Sequence, residues 1–206
     1  MITDTETVNI EPNSDERTGG DDGAAGVKLE LKEYMNSYAG LLFLAGAVIW
    51  LDQWTKALVR SQLSLSETWM PLEWLAPYAR IVHWRNRGAA FGMFQEAGGI
   101  FTVLAVVVAG IIIYYYPRVP KKDWLFRLAL ALQLGGALGN LIDRISFGYV
   151  TDFLSVGNFP VFNVADSSIS VGVGLLLLGS WLSDRAEKKA RLDAGGPEME
   201  EAPSSG

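Results

Sequence analysis

The sequence predicts an all-α membrane protein with four transmembrane helices. Three observations carry this reading: four apolar stretches of about the length of a bilayer span, one of them without any charge, and polar residues that gather at one end of every stretch. The chain has 206 residues, half of them hydrophobic, with a formal net charge of −6 and no cysteine. That charge is unevenly spread. Residues 1–33 hold nine acids against three bases, the tail 184–206 six against four, and the stretch 34–183 eight against ten. The acidity therefore belongs to the ends. The absence of cysteine excludes disulfides, thiolate metal sites and a cysteine nucleophile. A single histidine, His83, excludes a multi-histidine metal centre. The acidic balance argues against a nucleic-acid partner.

Taken in order, residues 1–33 are rich in Asp, Glu, Thr, Asn and Gly and show no apolar period, which predicts a disordered acidic extension. The acidic start and the lack of an apolar h-region do not fit a secretory signal peptide. The core domain is expected over 34–184 and a polar tail over 185–206. The apolar stretches run 39–59, 99–116, 125–142 and 164–182. A hydrocarbon core of roughly 30 Å needs about 20 apolar residues per helix, and backbone groups in lipid must bond within their own segment. A soluble four-helix bundle is the competing architecture. It would leave polar residues on one face of each helix, whereas 99–116 is apolar all round. The glycines 135, 136 and 139 of the third stretch and 172, 174 and 179 of the fourth read as small-residue packing faces.

Arg118, Lys121 and Lys122 in the second connection, and Arg185, Lys188, Lys189 and Arg191 after the fourth stretch, lie on the side of the N-terminus. The excess of positive charge predicts that side to be cytoplasmic. Tyr114, Tyr115, Tyr116, Trp124 and Trp181 fall at the same boundary, as an aromatic belt would, and Arg127 is placed to snorkel toward it. With this topology the polar residues of all four stretches fall at the outer face. They include four carboxylates, Asp52, Asp143, Asp152 and Asp166. Charges in a membrane span cost about 2.5–3.5 kcal/mol each on insertion scales and mark function or pairing. Asp52 and Lys56 have the spacing of a helical ion pair, and Asp143 adjoins Arg144. Asp152 and Asp166 have no basic neighbour in sequence. They lie on the two arms of one connection, so they can face each other. Two close carboxylates share one proton, giving an acid and a base at a single site. A pair of unrelated loop acids is the plain alternative.

Other chemistries fit less well. No HExxH or GxSxG is present. Ser167, Ser168 or Ser170 with Lys56 as base is conceivable, but Asp52 is a nearer partner for Lys56. His83, between Val82 and Trp84, reads as an interfacial side chain. A carrier using Asp52, Asp143 and Asp166 should place polar groups along a path across the membrane rather than at one face. An inactive assembly factor of the same fold is a further alternative.

Five blocks then resemble those of the lipoprotein signal peptidases, or signal peptidase II, an aspartic protease family of bacterial inner membranes. They are AspGlnTrpThrLys at 52–56, AsnArgGlyAlaAlaPheGly at 86–92, GlyAsnLeuIleAspArg at 139–144, ValThrAspPhe at 150–153 and PheAsnValAlaAsp at 162–166. The resemblance covers about residues 38–184. It implies a four-helix fold with a small extramembrane β-rich cradle between helices 1 and 2, and Asp152 and Asp166 as the catalytic pair. It implies supporting or substrate-positioning roles for Asp52, Lys56, Asn86, Gly88, Asn140, Asp143, Arg144, Asn163 and Ala165. It also implies cleavage of diacylglyceryl-modified prolipoproteins before the lipidated cysteine, inhibition by globomycin-type cyclic peptides, and no metal or organic cofactor. A monomer in contact with membrane lipid is expected. The short connection between the two aspartates is expected to leave the site with little cover.

Overall fold

The structure, a computed structural model, describes residues 21–88 and 98–194. The chain divides into two units, Met1–Ser37 and Tyr38–Gly206. Of the first, the structure describes only the start of a helix. Helix α1 (Asp21–Gln62) begins inside the segment whose composition predicts disorder, so the expected boundary at 33/34 does not coincide with a helix end. Residues 1–20 and 195–206, and Ala89–Gly92 of the second motif block, lie outside the described residues.

In the second unit α1 is followed by β1 (Thr68–Trp69), β2 (Ala79–Asn86), α2 (Gly98–Tyr115), α3 (Trp124–Phe147), β3 (Val150–Val156) and α4 (Val164–Ala194). Met35–Gln62, Gly98–Arg118, Trp124–Phe147 and Val164–Asp193 are each long and apolar enough to cross a membrane. They match the four predicted stretches: seven of the eight predicted boundaries fall short of the observed span, and the start at 164 coincides with it. Polar first and last turns carry no hydropathy signal, so the apolar run reports the lipid-facing part of a helix only.

α3 is the central helix. It buries Ala129, Ala131, Leu134, Gly135, Gly136, Ala137, Gly139, Asn140, Leu141 and Asp143, whereas α2 buries only Ala109 and Ile112. In lipid, helices gain little by hiding apolar area from each other, so close backbone approach and polar pairing hold them together. The glycines of α3 supply the approach. A Cβ on Gly135 would lie 2.7 Å from Val48 Cβ on α1, and one on Gly139 would lie 2.7 Å from Asp52 Oδ2. A Cβ on Gly136 would lie 2.5 Å from the Ala165 carbonyl oxygen on α4. Gly172 approaches Ala129 and Gln133, and Gly179 the ring of Phe126. Gly174 does not belong to the predicted packing face, for it has open space around it. Gly136→Ala should therefore push the first turn of α4 off α3, at about the 1–3 kcal/mol typical of overpacking. The thermal midpoint of the purified variant should fall, while Gly174→Ala leaves it near the wild-type value.

Toward the opposite end, Leu41, Ala45, Ala109, Ile112, Tyr116, Ala131 and Leu134 form the apolar core. Tyr114, Tyr115, Trp124 and Trp181 are exposed as a belt requires, but Tyr116 is only 2% exposed. Successive helical positions point about 100° apart, so three adjacent tyrosines cannot share one face. The Tyr116 ring stacks on Tyr38 and lies 4.2 Å beneath the Arg127 guanidinium, which donates to the Val119 carbonyl.

The strands form one antiparallel sheet in the order β1-β2-β3. The expected cradle between the first two helices supplies only two of them. β3 comes from the connection between α3 and α4, so Asp152 stands on a strand rather than in a bare loop. A register shift between Ile81 and Trp84 breaks the alternation of β2. Val82 and His83 are consequently both buried, and His83 is not the interfacial side chain that its neighbours suggest. Its Nδ1 lies 2.9 Å from the Leu63 carbonyl. Trp69, Trp74, Tyr78 and Trp84 remain exposed.

Candidate active site

The site begins at the first turn of α4. Asn163 precedes the helix and Asp166 is its third residue. The Asp166 amide donates to Asn163 Oδ1 at 2.9 Å, and the Asn163 amide donates to Asp166 Oδ2 at 3.2 Å. This is a reciprocal capping box, which satisfies backbone donors that a helix start would leave unpaired. Asp52 of α1 takes the next one: its Oδ1 accepts the Ala165 amide at 3.0 Å. Ala165 itself is fully buried against α3 at Gly136 and Gly139. The PheAsnValAlaAsp block is thus local folding code. A cap at 163, a small residue at 165 and a carboxylate at 166 start the helix and aim Asp166 in the same step.

Asp152 approaches from β3 and is 1% exposed. Its Oδ1 accepts from Asn163 Nδ2 at 2.7 Å and its Oδ2 from Asn86 Nδ2 at 3.0 Å. Asn86 in turn accepts the Gly88 amide through Oδ1, which fixes the end of β2. Asp166 Oδ1 accepts from Asn140 Nδ2 at 2.8 Å. Asn163 therefore holds both carboxylates, Asp152 through its side chain and Asp166 through its backbone. Burial pushes the Asp152 carboxyl from its ordinary 3.8 up to about 7, and the neighbouring Asp166 charge pushes the same way. Hydrogen bonds from Asn86 and Asn163 and the charge of Lys56 oppose the rise. Both aspartates line one cavity of about 590 Å3, together with Arg144, Asn86, Gly88 and Phe101. Phe159–Phe162, which follow β3, line it too, so the connection between the aspartates does give the site a wall.

Behind this pair lies an ion cluster. Lys56 Nζ is 2.8 Å from Asp52 Oδ2 and 3.3 Å from Asp143 Oδ2, and it donates to Asn140 Oδ1 at 2.9 Å. Asp52, Lys56 and Asp143 have no exposed surface. Asp143 does not pair with its neighbour Arg144, because adjacent helical residues diverge by about 100°. It pairs with Lys56 and Arg60 instead, and it accepts the Thr151 amide at 2.8 Å. Arg144 turns to the cavity, 5.6 Å from the Phe101 ring. With Lys56 held by three acceptors, no base stands ready for a serine. Ser167 and Ser168 donate back to the carbonyls of Asn163 and Val164.

Three contributors escape sequence reading. Gln53 Nε2 bridges Asp52, Gly139 and Asp143. Arg60 continues the i,i+4 line of Asp52 and Lys56, a signal that the sequence does carry. Thr151 contributes through strand register, which leaves no mark in the sequence.

A family profile described as Signal peptidase (SPase) II matches residues 44–182. The chain is 43% identical over 152 residues to the lipoprotein signal peptidase of Halalkalibacterium halodurans, covering 72% of this chain and 96% of that protein. It is 40% identical over 158 residues to the lipoprotein signal peptidase of Shewanella pealeana, covering 73% and 87%. Among solved structures, it is similar to a bacterial membrane enzyme determined by the in meso method at 2.3 Å resolution. That match has a TM-score of 0.66 at 28% identity and covers 73% of this chain and 92% of that one. Four apolar helices of spanning length and a membrane-enzyme neighbour make this a multi-pass membrane protein. Residues 44–182 also hold all five motif blocks and both carboxylates of the cavity, so profile and site coincide: the chain belongs to the signal peptidase II family.

Proposed function

We propose that this protein is an aspartic endopeptidase that removes signal peptides from diacylglyceryl-modified prolipoproteins, with Asp152 and Asp166 as its catalytic pair. The observation that carries the proposal is the joint hold of Asn163 on two carboxylates that line one cavity. Asp152, whose carboxyl is pushed up to about 7 by burial, is the acid; Asp166 is the base. Asp166 takes a proton from a water whose oxygen bonds to the scissile carbonyl carbon, while Asp152 gives its proton to the carbonyl oxygen. The tetrahedral intermediate then collapses. Asp152 recovers its proton, Asp166 passes the other to the leaving nitrogen, and the C–N bond breaks. Both groups return to their starting states, and no cofactor is consumed. Arg144, at the cavity wall, is placed to hold a substrate carbonyl. Asn86, Gly88, Asn140 and Asn163 fix the two carboxylates, and Asp52, Lys56 and Asp143 fix the helix ends beneath them.

The substrate chemistry follows from depth. Polar groups of α1, α3 and α4 meet at one end of the bundle, next to the sheet and its β1–β2 connection, with Trp69, Trp74 and Trp84 exposed. A peptide tethered by two acyl chains would present its scissile bond at that level. Basic residues at the other end, Arg118, Lys121, Lys122, Arg185, Lys188, Lys189 and Arg191, orient the chain with both termini cytoplasmic and the site near the outer face of the inner membrane. The enzyme works as a monomer without a nucleic-acid partner, and residues 1–33 and 185–206 are cytoplasmic extensions.

The test is cleavage of one prolipoprotein with and without its diacylglyceryl group, followed on a gel with the purified protein in lipid vesicles. The modified form should be cut and the bare form left intact; equal cutting of both would refute the substrate assignment. Because the reaction needs a protonated Asp152, kcat/KM should fall as pH rises through about 7. A rate that keeps rising to pH 9 would contradict the assignment of Asp152 as the acid.

A further inference from the structure

Arg60 lies outside all five motif blocks, one helical turn beyond Lys56, and its side chain is 20% exposed. Its Nη1 donates to Thr151 Oγ1 at 3.0 Å and stands 3.5 Å from Asp143 Oδ1. Its guanidinium carbon lies 4.6 Å from the centroid of the Phe147 ring. One side chain of α1 thus engages two residues of α3, a turn apart, and the start of β3. Thr151 is fully buried and directly precedes Asp152. Each polar group of Thr151 has a partner on another element: its amide on Asp143, its hydroxyl on Arg60, and its carbonyl on Asn163 Nδ2 at 3.4 Å.

Successive strand side chains point to opposite faces. A grip on Thr151 from the α1 side therefore sets the direction in which Asp152 leaves the strand. Charge adds to geometry. Asp52 and Asp143 bring two buried carboxylates and Lys56 one ammonium; Arg60 supplies the second positive charge. Guanidinium suits this place, because its planar fork can meet a hydroxyl, a carboxylate and a ring together, as an ammonium cannot.

We propose that Arg60 is a positioning residue for the cleavage reaction: through Thr151 and Asp143 it fixes the start of β3 so that Asp152 meets Asp166 in reactive geometry. This rests on Asp152 and Asp166 being the catalytic pair. Arg60 touches neither carboxylate; it acts through the residues it holds and, at longer range, through its charge. Among the described residues, the charged groups acting on Asp152 include Asp166 from α4, Lys56 from α1 and Arg144 from α3; Arg60 from α1, Asp143 from α3 and Arg85 from β2 all bear on its neighbour Thr151.

The experiment compares Arg60→Met, Arg60→Lys, Thr151→Val and the Arg60→Met/Thr151→Val double variant in lipid vesicles. It measures kcat, KM and the pH dependence of cleavage of a diacylglyceryl prolipoprotein per folded molecule. Misplacing a reacting group by about 1 Å costs up to about 100-fold. Arg60→Met should lower kcat by about 10- to 100-fold and leave KM within about twofold. It should also move the alkaline limb of the pH profile upward, because a positive charge leaves the surroundings of Asp152. Arg60→Lys keeps the charge, so its limb should stay in place while kcat remains reduced. Thr151→Val keeps the amide bond to Asp143 and loses only the hydroxyl. It should lower kcat on its own, and the double variant should be no worse than the poorer single one. Thr151→Val also tests the proposal should Arg60→Met fail to fold. A wild-type kcat per folded molecule in Arg60→Met, a change confined to KM or thermal midpoint, or losses that multiply in the double variant would each overturn it. If Asp152→Asn cleaves normally, the catalytic pair itself is wrong; if Asp152→Asn is inactive and Arg60→Met behaves as wild type, only the role of Arg60 fails.

Discussion

Asp166→Asn and Asp152→Asn should each cut cleavage of a diacylglyceryl prolipoprotein by about 1,000-fold or more, while both proteins fold and purify normally. The size follows from the chemistry each group performs. A positioned acid or base contributes about 100- to 10,000-fold, and in the proposed mechanism each aspartate serves in both halves of the reaction. Normal folding follows from shape. Asparagine at 166 keeps a side-chain oxygen for the capping interaction with Asn163. At 152 it is a neutral isostere of a carboxyl buried to 1% exposure. The sign of the pH effect on stability is set by the raised value of Asp152. Between its ordinary 3.8 and about 7, the folded protein keeps a proton that the unfolded chain releases. Stability from this group is complete below 3.8 and is lost as pH rises through about 7. Asp152→Asn should remove that slope, and its thermal midpoint at pH 8 should equal or exceed the wild-type value. A midpoint at pH 8 well below wild type would show that the loss of activity comes from misfolding.

Lys56→Met should be the most damaging single change to stability, by about 3–5 kcal/mol. Lys56, Asp52 and Asp143 have no exposed surface, and the ammonium is the group that lets two carboxylates coexist there. Methionine leaves both acids buried with neutral donors, Gln53 and the Ala165 and Thr151 amides, and with the more distant Arg60 as their nearby positive charge. Asp52 also caps the first turn of α4, so the damage should reach Asp166. Adding Asp52→Asn to Lys56→Met removes one of the stranded charges and should recover part of the loss. Thermal midpoints of the three proteins in detergent micelles give the comparison. A Lys56→Met midpoint within a degree of wild type would contradict this role for the cluster.

The helices were legible from the sequence because a bilayer imposes a single crude requirement, an apolar run of fixed length. The same simplicity hid their ends. Polar turns beyond the lipid, such as the last turns of α1 and α4, add nothing to an apolar count. The two central aspartates stood out by lacking basic sequence neighbours, and that criterion is indirect. It assigned Asp143 to Arg144, its neighbour in the chain, whereas the helix turns the two apart and gives Asp143 to Lys56 and Arg60. β3 was hidden for a related reason. Its partner is β2, more than sixty residues earlier, and pairing register is a property of the assembled sheet. The resemblance to the family correctly placed a cradle between the first two helices, but the strand that carries Asp152 comes from the other connection. His83 was misjudged by the same long-range feature, a bulge that turns two consecutive side chains inward.

The central claim is that Asp152 and Asp166 direct water onto the bond before a lipidated cysteine. One measurement tests it most directly: the mass of the peptide released from a diacylglyceryl prolipoprotein in a single turnover in water enriched in heavy oxygen, for wild type and both asparagine variants. Wild type should release a peptide ending at the residue before the lipidated cysteine, with one heavy oxygen in its new carboxyl group, and neither variant should release it. A peptide ending elsewhere, or the same peptide released by either variant at the wild-type rate, would contradict the claim.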